Sequence, residues 1–171
     1  MGLKFGWRLA LLSILVGGGV ARSASENHRE SLPGLTGVCV RVERLDASAR
    51  RDGLDEQSIQ TDVEQKLRLA GIKVLTASQA LKESGSPTLY VRVNARLSSH
   101  APVYAVTVTL ALLQDVITTR DQKIRVREAK TWDTGHMTTY LQANLREART
   151  VVVKDLVDEF ISDWLAVNPK K

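Results

Sequence analysis

The sequence predicts an α+β fold, with helices packed on one face of a mixed, mainly antiparallel sheet in the order β-α-β-α-β-β-β-α. Two patterns carry that expectation. Leu89, Val91, Val93, Ala95 and Leu97 alternate with Tyr90, Arg92, Asn94, Arg96 and Ser98, and a second alternating run returns through Tyr104, Val106, Val108, Leu110 and Leu112. A period of two is that of a strand with one buried face. Apolar residues at three-to-four spacing occur twice, at Ile59, Val63, Leu67 and Ala70, and through Leu145, Ala148, Val152, Leu156, Phe160 and Trp164. Each is the stripe of a helix lying on a core.

Taken in order, the chain opens with a basic stretch holding Lys4 and Arg8, an apolar run from Leu9 to Val20, and small residues at Ala21, Ser23, Ala24 and Ser25. That layout is a signal peptide, expected over residues 1–23, with cleavage after Ser23 and with Ala21 or Ser25 as neighbouring alternatives. The apolar run is shorter than the ~18–20 residues that cross a bilayer as a helix, and Gly17-Gly18-Gly19 weakens it further. An uncleaved anchor is the alternative. Cys39 lies too far downstream to be a lipid-attachment site, so the expected product is periplasmic or secreted and not a lipoprotein.

Lys4, Arg8 and Arg22 leave with the signal, so the formal charge of +5 falls to +2, with 21 basic residues against 19 acidic. Most of the electrostatic case for a nucleic-acid partner goes with it. Cys39 is the only cysteine; no internal disulfide can close the fold, and one core must hold it. Residues 24–35 are polar and end at Pro33-Gly34, which reads as a flexible leader ahead of a single domain spanning 36–171.

Val38, Val40 and Val42 alternate with Cys39, Arg41 and Glu43 and predict the first strand, with Cys39 a half-buried filler on the Arg41 side. Asp46 to Gly53 is charged and reads as a loop. Asp55 is placed to cap the helix that follows, Leu54 to pack on Ile59, Gly71 to close it in a left-handed conformation and Ile72 to contact it from beyond. Ile72 to Leu75 predicts a short strand, and Thr76 with Gln79 a capping box for a brief helix that Pro87 prevents from continuing. The two alternating runs follow, joined by a turn at Ser99 to Pro102. After a polar turn at Arg120 to Lys123, a third run from Ile124 to about Trp132 completes a meander, and a helix from Asn144 to Leu165 closes the domain before Asn168-Pro169.

The runs VEQKLRLAGIKVL (63–75), LYVRVNARL (89–97), AKTW (129–132) and DLVDEFISDWLAVNPK (155–170) resemble a family of small, uncharacterised exported bacterial proteins. At the level of fold, the element order is similar to the amino-terminal α/β domain of TolB and to related envelope accessory domains. The resemblance implies a periplasmic domain that binds partners. The shared motifs are structural punctuation and none is chemical.

Three chemical candidates stand out. Asp133-Thr134-Gly135 matches the triplet that retroviral-type aspartic proteases place at a dimer axis, although Thr131-Trp132 before it and His136-Met137 after it depart from that pattern. As a turn ending the third strand the triplet needs no other explanation. His28, His100 and His136 lack the spacing of a zinc site, and Cys39 has no Cys-x-x-Cys partner. No metal, cofactor or catalytic residue is therefore assigned. The sheet face opposite the helices is the third candidate, carrying Tyr90, Arg92, Arg96, Thr107, Thr109, Arg125 and Arg127. Tyr90, Arg92, Arg96, Arg125 and Arg127 are the expected partner-binding residues, because Arg forks hold carboxylates or phosphates and Tyr supplies rigid contact area. The expected role is non-enzymatic binding or envelope assembly. The partner would be an envelope protein or an acidic glycan rather than nucleic acid, and the membrane would be met only through an uncleaved signal. An aspartic-type hydrolase using Asp133 in a dimer is the alternative.

Overall fold

A computed structural model describes residues 29–169; the predicted signal and residues 24–28 lie outside the described residues. Five strands make one sheet in the order β2-β1-β3-β4-β5. Strand β1 (Gly37–Val42) runs parallel to both β2 (Lys73–Leu75) and β3 (Thr88–Leu97). Strands β3, β4 (Val103–Thr118) and β5 (Asp121–Leu141) form the antiparallel meander. Between them lie α1 (Ala47–Arg51), α2 (Glu56–Leu69) and α3 (Ala77–Ala80), and a continuous helical segment follows β5. The fold is α+β, as the two periodicities predict.

Alternation decides the layers. Leu89, Val91, Val93 and Ala95 of β3, with Tyr104, Val106, Val108, Leu110 and Leu112 of β4, are buried against Ile59, Val63 and Leu67 of α2 and the stripe from Leu145 to Phe160. Arg92, Asn94 and Arg96 point the other way and are exposed. Helix α2 begins where Asp55 accepts a hydrogen bond from the Ser58 backbone N–H at 2.7 Å. It ends where Gly71 takes φ +87°, so that the Gly71 N–H reaches the Arg68 carbonyl at 3.0 Å and the Ile72 N–H the Leu67 carbonyl at 2.9 Å. That double closure satisfies two carbonyls the helix would otherwise leave open, and Ile72 is buried beside it. Thr76 and Gln79 form both halves of the capping box of α3.

Four expectations are corrected. Asp46–Gly53 is not a loop throughout, because α1 occupies its centre: one apolar residue, Ala49, is buried among the charges, with Leu45 and Leu54 buried on either side. The leader is not a tail where it is described. Leu32 is fully buried, Leu35 nearly so, and the Trp164 indole donates to the Leu35 carbonyl at 2.9 Å while Asn168 clasps Leu32 and Gly34. Two leucines in a polar run were enough to dock it. Third, β4 and β5 are far longer than the expected runs, and β5 continues through Asp133-Thr134-Gly135, which pair with Ala111, Leu110 and Thr109. Turn chemistry in those three residues yields to ten uninterrupted pairs with β4. His136, expected at that turn, therefore lies in a strand.

The fourth concerns the closing helix. Its stripe from Ala148 to Trp164 steps by four residues each time, and an α-helix of 3.6 residues per turn drifts about 40° per such step. The segment absorbs the drift by changing pitch, from a 3₁₀ turn at Gln142–Glu147 to α4 (Ala148–Val151), a π turn at Val152–Leu156 and α5 (Val157–Val167). A π turn spans one residue more per hydrogen bond and brings the stripe back over the sheet. Lys66 of α2 donates to the Val153 carbonyl within that turn at 2.7 Å and pairs with Asp158 at 2.7 Å.

Asp163 is the buried charged residue among those described, 2% exposed. It accepts from Arg29 Nε at 2.6 Å and from Trp132 Nε1 at 3.0 Å. Breaking such a pair strands a buried charge, and Arg29 is only about a third exposed. Arg29→Met is expected to lower unfolding free energy by roughly 2–3 kcal/mol, the low end for a buried pair because water reaches the arginine. Urea denaturation checks this, with Arg29→Met/Asp163→Leu expected to lose less than the two single changes together; strict additivity would contradict the coupling.

Candidate functional site

Register places the open face. Tyr90, Arg92, Asn94 and Arg96 of β3 pair with Ala111, Thr109, Thr107 and Ala105 of β4, which pair in turn with Asp133, Gly135, Met137 and Thr139 of β5. On the other side Tyr90 pairs with Arg41 of β1. Small side chains on β4 thus form a floor between longer ones on β3 and β5. Gly135 of β5 extends this floor, and a Cβ there would meet the Val108 carbonyl oxygen at a tight 3.1 Å.

The cations on this face are neutralised. Arg41 bonds Glu128 at 2.9 Å, Arg92 bonds Glu43, Lys130 bonds Asp133 at 2.8 Å, and Arg96 lies 3.9 Å from Asp46. Arg41 and Arg92 also stand over the Tyr90 ring, 5.0 Å and 5.8 Å from its centre. Of the five predicted binding residues, the structure brings Tyr90 and Arg92 together. Arg96 sits farther along β3 beside Asp46, and Arg125 and Arg127 belong to a different feature.

That feature is a two-stranded ribbon in which β4 and β5 continue beyond the sheet, from Gln114 to the turn at Thr119-Arg120 and back to Glu128. All of Asp121 to Glu128 is exposed. Ile117, Ile124 and Val126 are 51%, 37% and 41% exposed, beside Arg120, Lys123, Arg125 and Arg127. None of those four cations forms an ion pair among the described residues. At the foot, Arg127 and Glu128 bulge opposite Asp115. Glu128 takes φ +49°, its N–H donates to Asp115 at 3.1 Å, and the Asp115 N–H reaches the Gly85 carbonyl at 2.7 Å. Bulges of this kind re-aim side chains, and this one turns Glu128 onto Arg41 and leaves Arg127 facing a cleft.

The cleft has a volume of about 710 Å³. Arg41, Arg127, Asp115 and Glu128 make its polar wall; Ala77, Ala80, Leu81 and Cys39 make the apolar one. Leu81 is 76% exposed. A smaller cleft of about 360 Å³ adjoins it, sharing Arg41 and Glu128 and continuing along Tyr90, Arg92 and Lys130. Burial pushes the Cys39 thiol up, with Arg41 opposing and Glu64 reinforcing. The hydrogen bond from Arg41 holds the Glu128 carboxyl below its usual range.

Sequence reasoning missed Arg41, Glu128, Asp115 and Leu81. Arg41 was visible on the polar side of β1, but nothing in the order of elements says that β1 lies against β3. Asp133 stands in mid-strand, tied to Lys130, where the sequence predicted a strand-ending turn. No group of three or more His, Cys, Asp or Glu side chains that could hold a metal occurs among the described residues, and none of their helices is long and apolar enough to cross a membrane.

No protein-family model and no curated protein matches the chain. Among solved structures, it is similar to a singly substituted PelC from Paraburkholderia phytofirmans, determined as a dodecamer. Identity is 17%, the match covers 77% of this chain and 89% of that one, and the TM-score is 0.42. A likeness of that size transfers nothing about the site.

Two outcomes test this geometry. A lowered carboxyl pKa means that the Arg41–Glu128 pair contributes to stability at neutral pH and loses that contribution as pH falls through the lowered value. Carbon-detected titration should find Glu128 below the ordinary glutamate range and Arg41→Ala should move it up; a midpoint unchanged by Arg41→Ala contradicts the pair. A raised thiol pKa leaves less thiolate at neutral pH, so Cys39 should alkylate more slowly in the folded protein than after unfolding in urea. Equal rates would show an open thiol.

Proposed function

We propose that this protein is an exported, non-enzymatic binding module of the cell envelope, whose β4–β5 ribbon and the cleft at its foot receive an acidic segment of a partner protein. The observation that carries the reading is the contrast in neutralisation. Across the sheet face each of Arg41, Arg92, Arg96 and Lys130 has an acidic neighbour, whereas the ribbon's Arg120, Lys123, Arg125 and Arg127 form no ion pair among the described residues. Unpaired guanidinium forks beside exposed Ile117, Ile124 and Val126 suit carboxylates carried among apolar side chains. The apolar wall at Leu81 favours a peptide over an acidic glycan, which offers little to seat there. Export rests on the amino-terminal sequence pattern, and an envelope role on the resemblance stated above.

The reading moves the site away from Arg92, which stands over Tyr90 and bonds Glu43, and from Arg96, which lies beside Asp46. A photo-reactive residue at Val126 in producing cells is expected to give protein adducts that Arg125→Glu/Arg127→Glu abolishes and Arg92→Glu/Arg96→Glu largely keeps. Adducts that survive the ribbon reversal, or that carry glycan instead of protein, sink the proposal.

A further inference from the structure

Strand β5 is an edge of the sheet, and its far half is built without the devices that keep edges apart. Edge strands expose a row of backbone donors and acceptors, and proteins blunt them with charges, prolines, bulges or brevity. The opposite edge is blunt: β2 is three residues long. From Thr134 to Leu141 β5 reads TGHMTTYL, with no Lys, Arg, Asp, Glu or Pro. Its register against β4 runs unbroken from Val103↔Leu141 to Leu112↔Trp132. No hydrogen bond among the described residues reaches the backbone of Thr134–Tyr140 from outside the β4 ladder. Among the described residues the amino-terminal segment reaches the β5 backbone at Thr131, where Ser31 Oγ donates to the carbonyl at 3.1 Å. Met137 and Leu141 are 78% and 59% exposed on the open face. On the helix side His136 is also exposed, and Thr134 donates through its side chain to Glu159 of α5 at 2.7 Å, leaving the strand's outward backbone groups unengaged by that contact.

We propose that a second copy of this chain pairs along this edge, antiparallel about a twofold axis at Met137, joining two five-stranded sheets into one. The segment is complementary to itself in that register. Met137 faces Met137, Gly135 faces Thr139 and Asp133 faces Leu141 on the open side; His136 faces Thr138 and Thr134 faces Tyr140 on the helix side. No two like charges are opposed, and no imidazole meets its own copy. An isologous contact requires that self-matching, and it covers both exposed apolar side chains at once. The ribbon lies outside this interface, so the inference stands apart from the proposed function.

The signal-free chain tests it directly. Residues opposed on an antiparallel ladder have Cα atoms ~4.5–5.5 Å apart, inside disulfide range. In a Cys39→Ala background, Met137→Cys is expected to oxidise to a covalent dimer. Thr139→Cys should not, because its copies stand four residues out of register, ~13 Å apart. Sedimentation of the unmodified chain should give twice the monomer mass. Met137→Glu, exposed and so compatible with an unchanged thermal melt, sets two carboxylates against each other and should weaken the dimer at least tenfold. A monomer at every concentration overturns the proposal, as it would if the edge served a different protein or the chain's own residues before Arg29. Equal cross-linking at 137 and 139, or a dimer indifferent to Met137→Glu, overturns it as well.

Discussion

One buried carboxylate sets the frame on which the other features are mounted. Asp163 lies inside α5 with both oxygens engaged by donors from distant parts of the chain, the guanidinium of Arg29 and the indole of Trp132. A charge so buried must be met fully or it destabilises the fold, so the positions of three segments are specified together. Trp132 is held edge-on to Phe160, with ring centres 5.1 Å apart and planes at 72°; this packing fixes β5 against the closing helix. Arg29 draws in the residues up to Leu35, and Ser31 then crosses β5 at Thr131. Among the described residues the edge strand is thereby divided into a covered point and an uncovered stretch.

From that anchor, register does the rest. Thr131 is an extra residue between Leu112↔Trp132 and Leu113↔Lys130, and a second irregularity follows at Arg127-Glu128. Each insertion twists the ribbon relative to the sheet. The second puts Glu128 in a left-handed conformation that few non-glycine residues adopt without support. Asp115 provides it by accepting the Glu128 N–H. Charge distribution follows from this backbone detail, because Glu128 neutralises Arg41 only from that position while Arg127 is left without an acid.

The sequence made the sheet-and-helix alternation legible because burial is periodic: β3, the near half of β4, α2 and its glycine closure stand where their patterns put them. What stayed hidden was relational. The ribbon is exposed along β5 and only half-buried at alternate positions of β4, so the pattern predicted a third run from Ile124 but not that β4 extends beyond Leu112 to pair with it. Asp133-Thr134-Gly135 has turn composition but lies opposite a strand whose full length demands a partner. The predicted basic face lost its charge once β1 was placed beside β3, since Glu43 reached Arg92 and Asp46 came to lie beside Arg96. Of the five predicted binding residues, Arg125 and Arg127 keep unpaired charge, for a reason the alternation in β3 could not show.

An isolated two-stranded ribbon is marginal in water, and this one exposes Ile117, Ile124 and Val126 while contributing nothing to the core. Its persistence depends on rigid continuation of β4 and β5, on the Asp115 link to Gly85 and on the Arg41–Glu128 pair at its foot. Those same contacts form the polar wall of the cleft. A ligand that competes for Arg41 would loosen the foot, whereas one that takes Arg127 would leave it intact. On the proposed reading, a partner that reaches the free guanidinium leaves the paired one in place, and the bulge is what separates the two arginines.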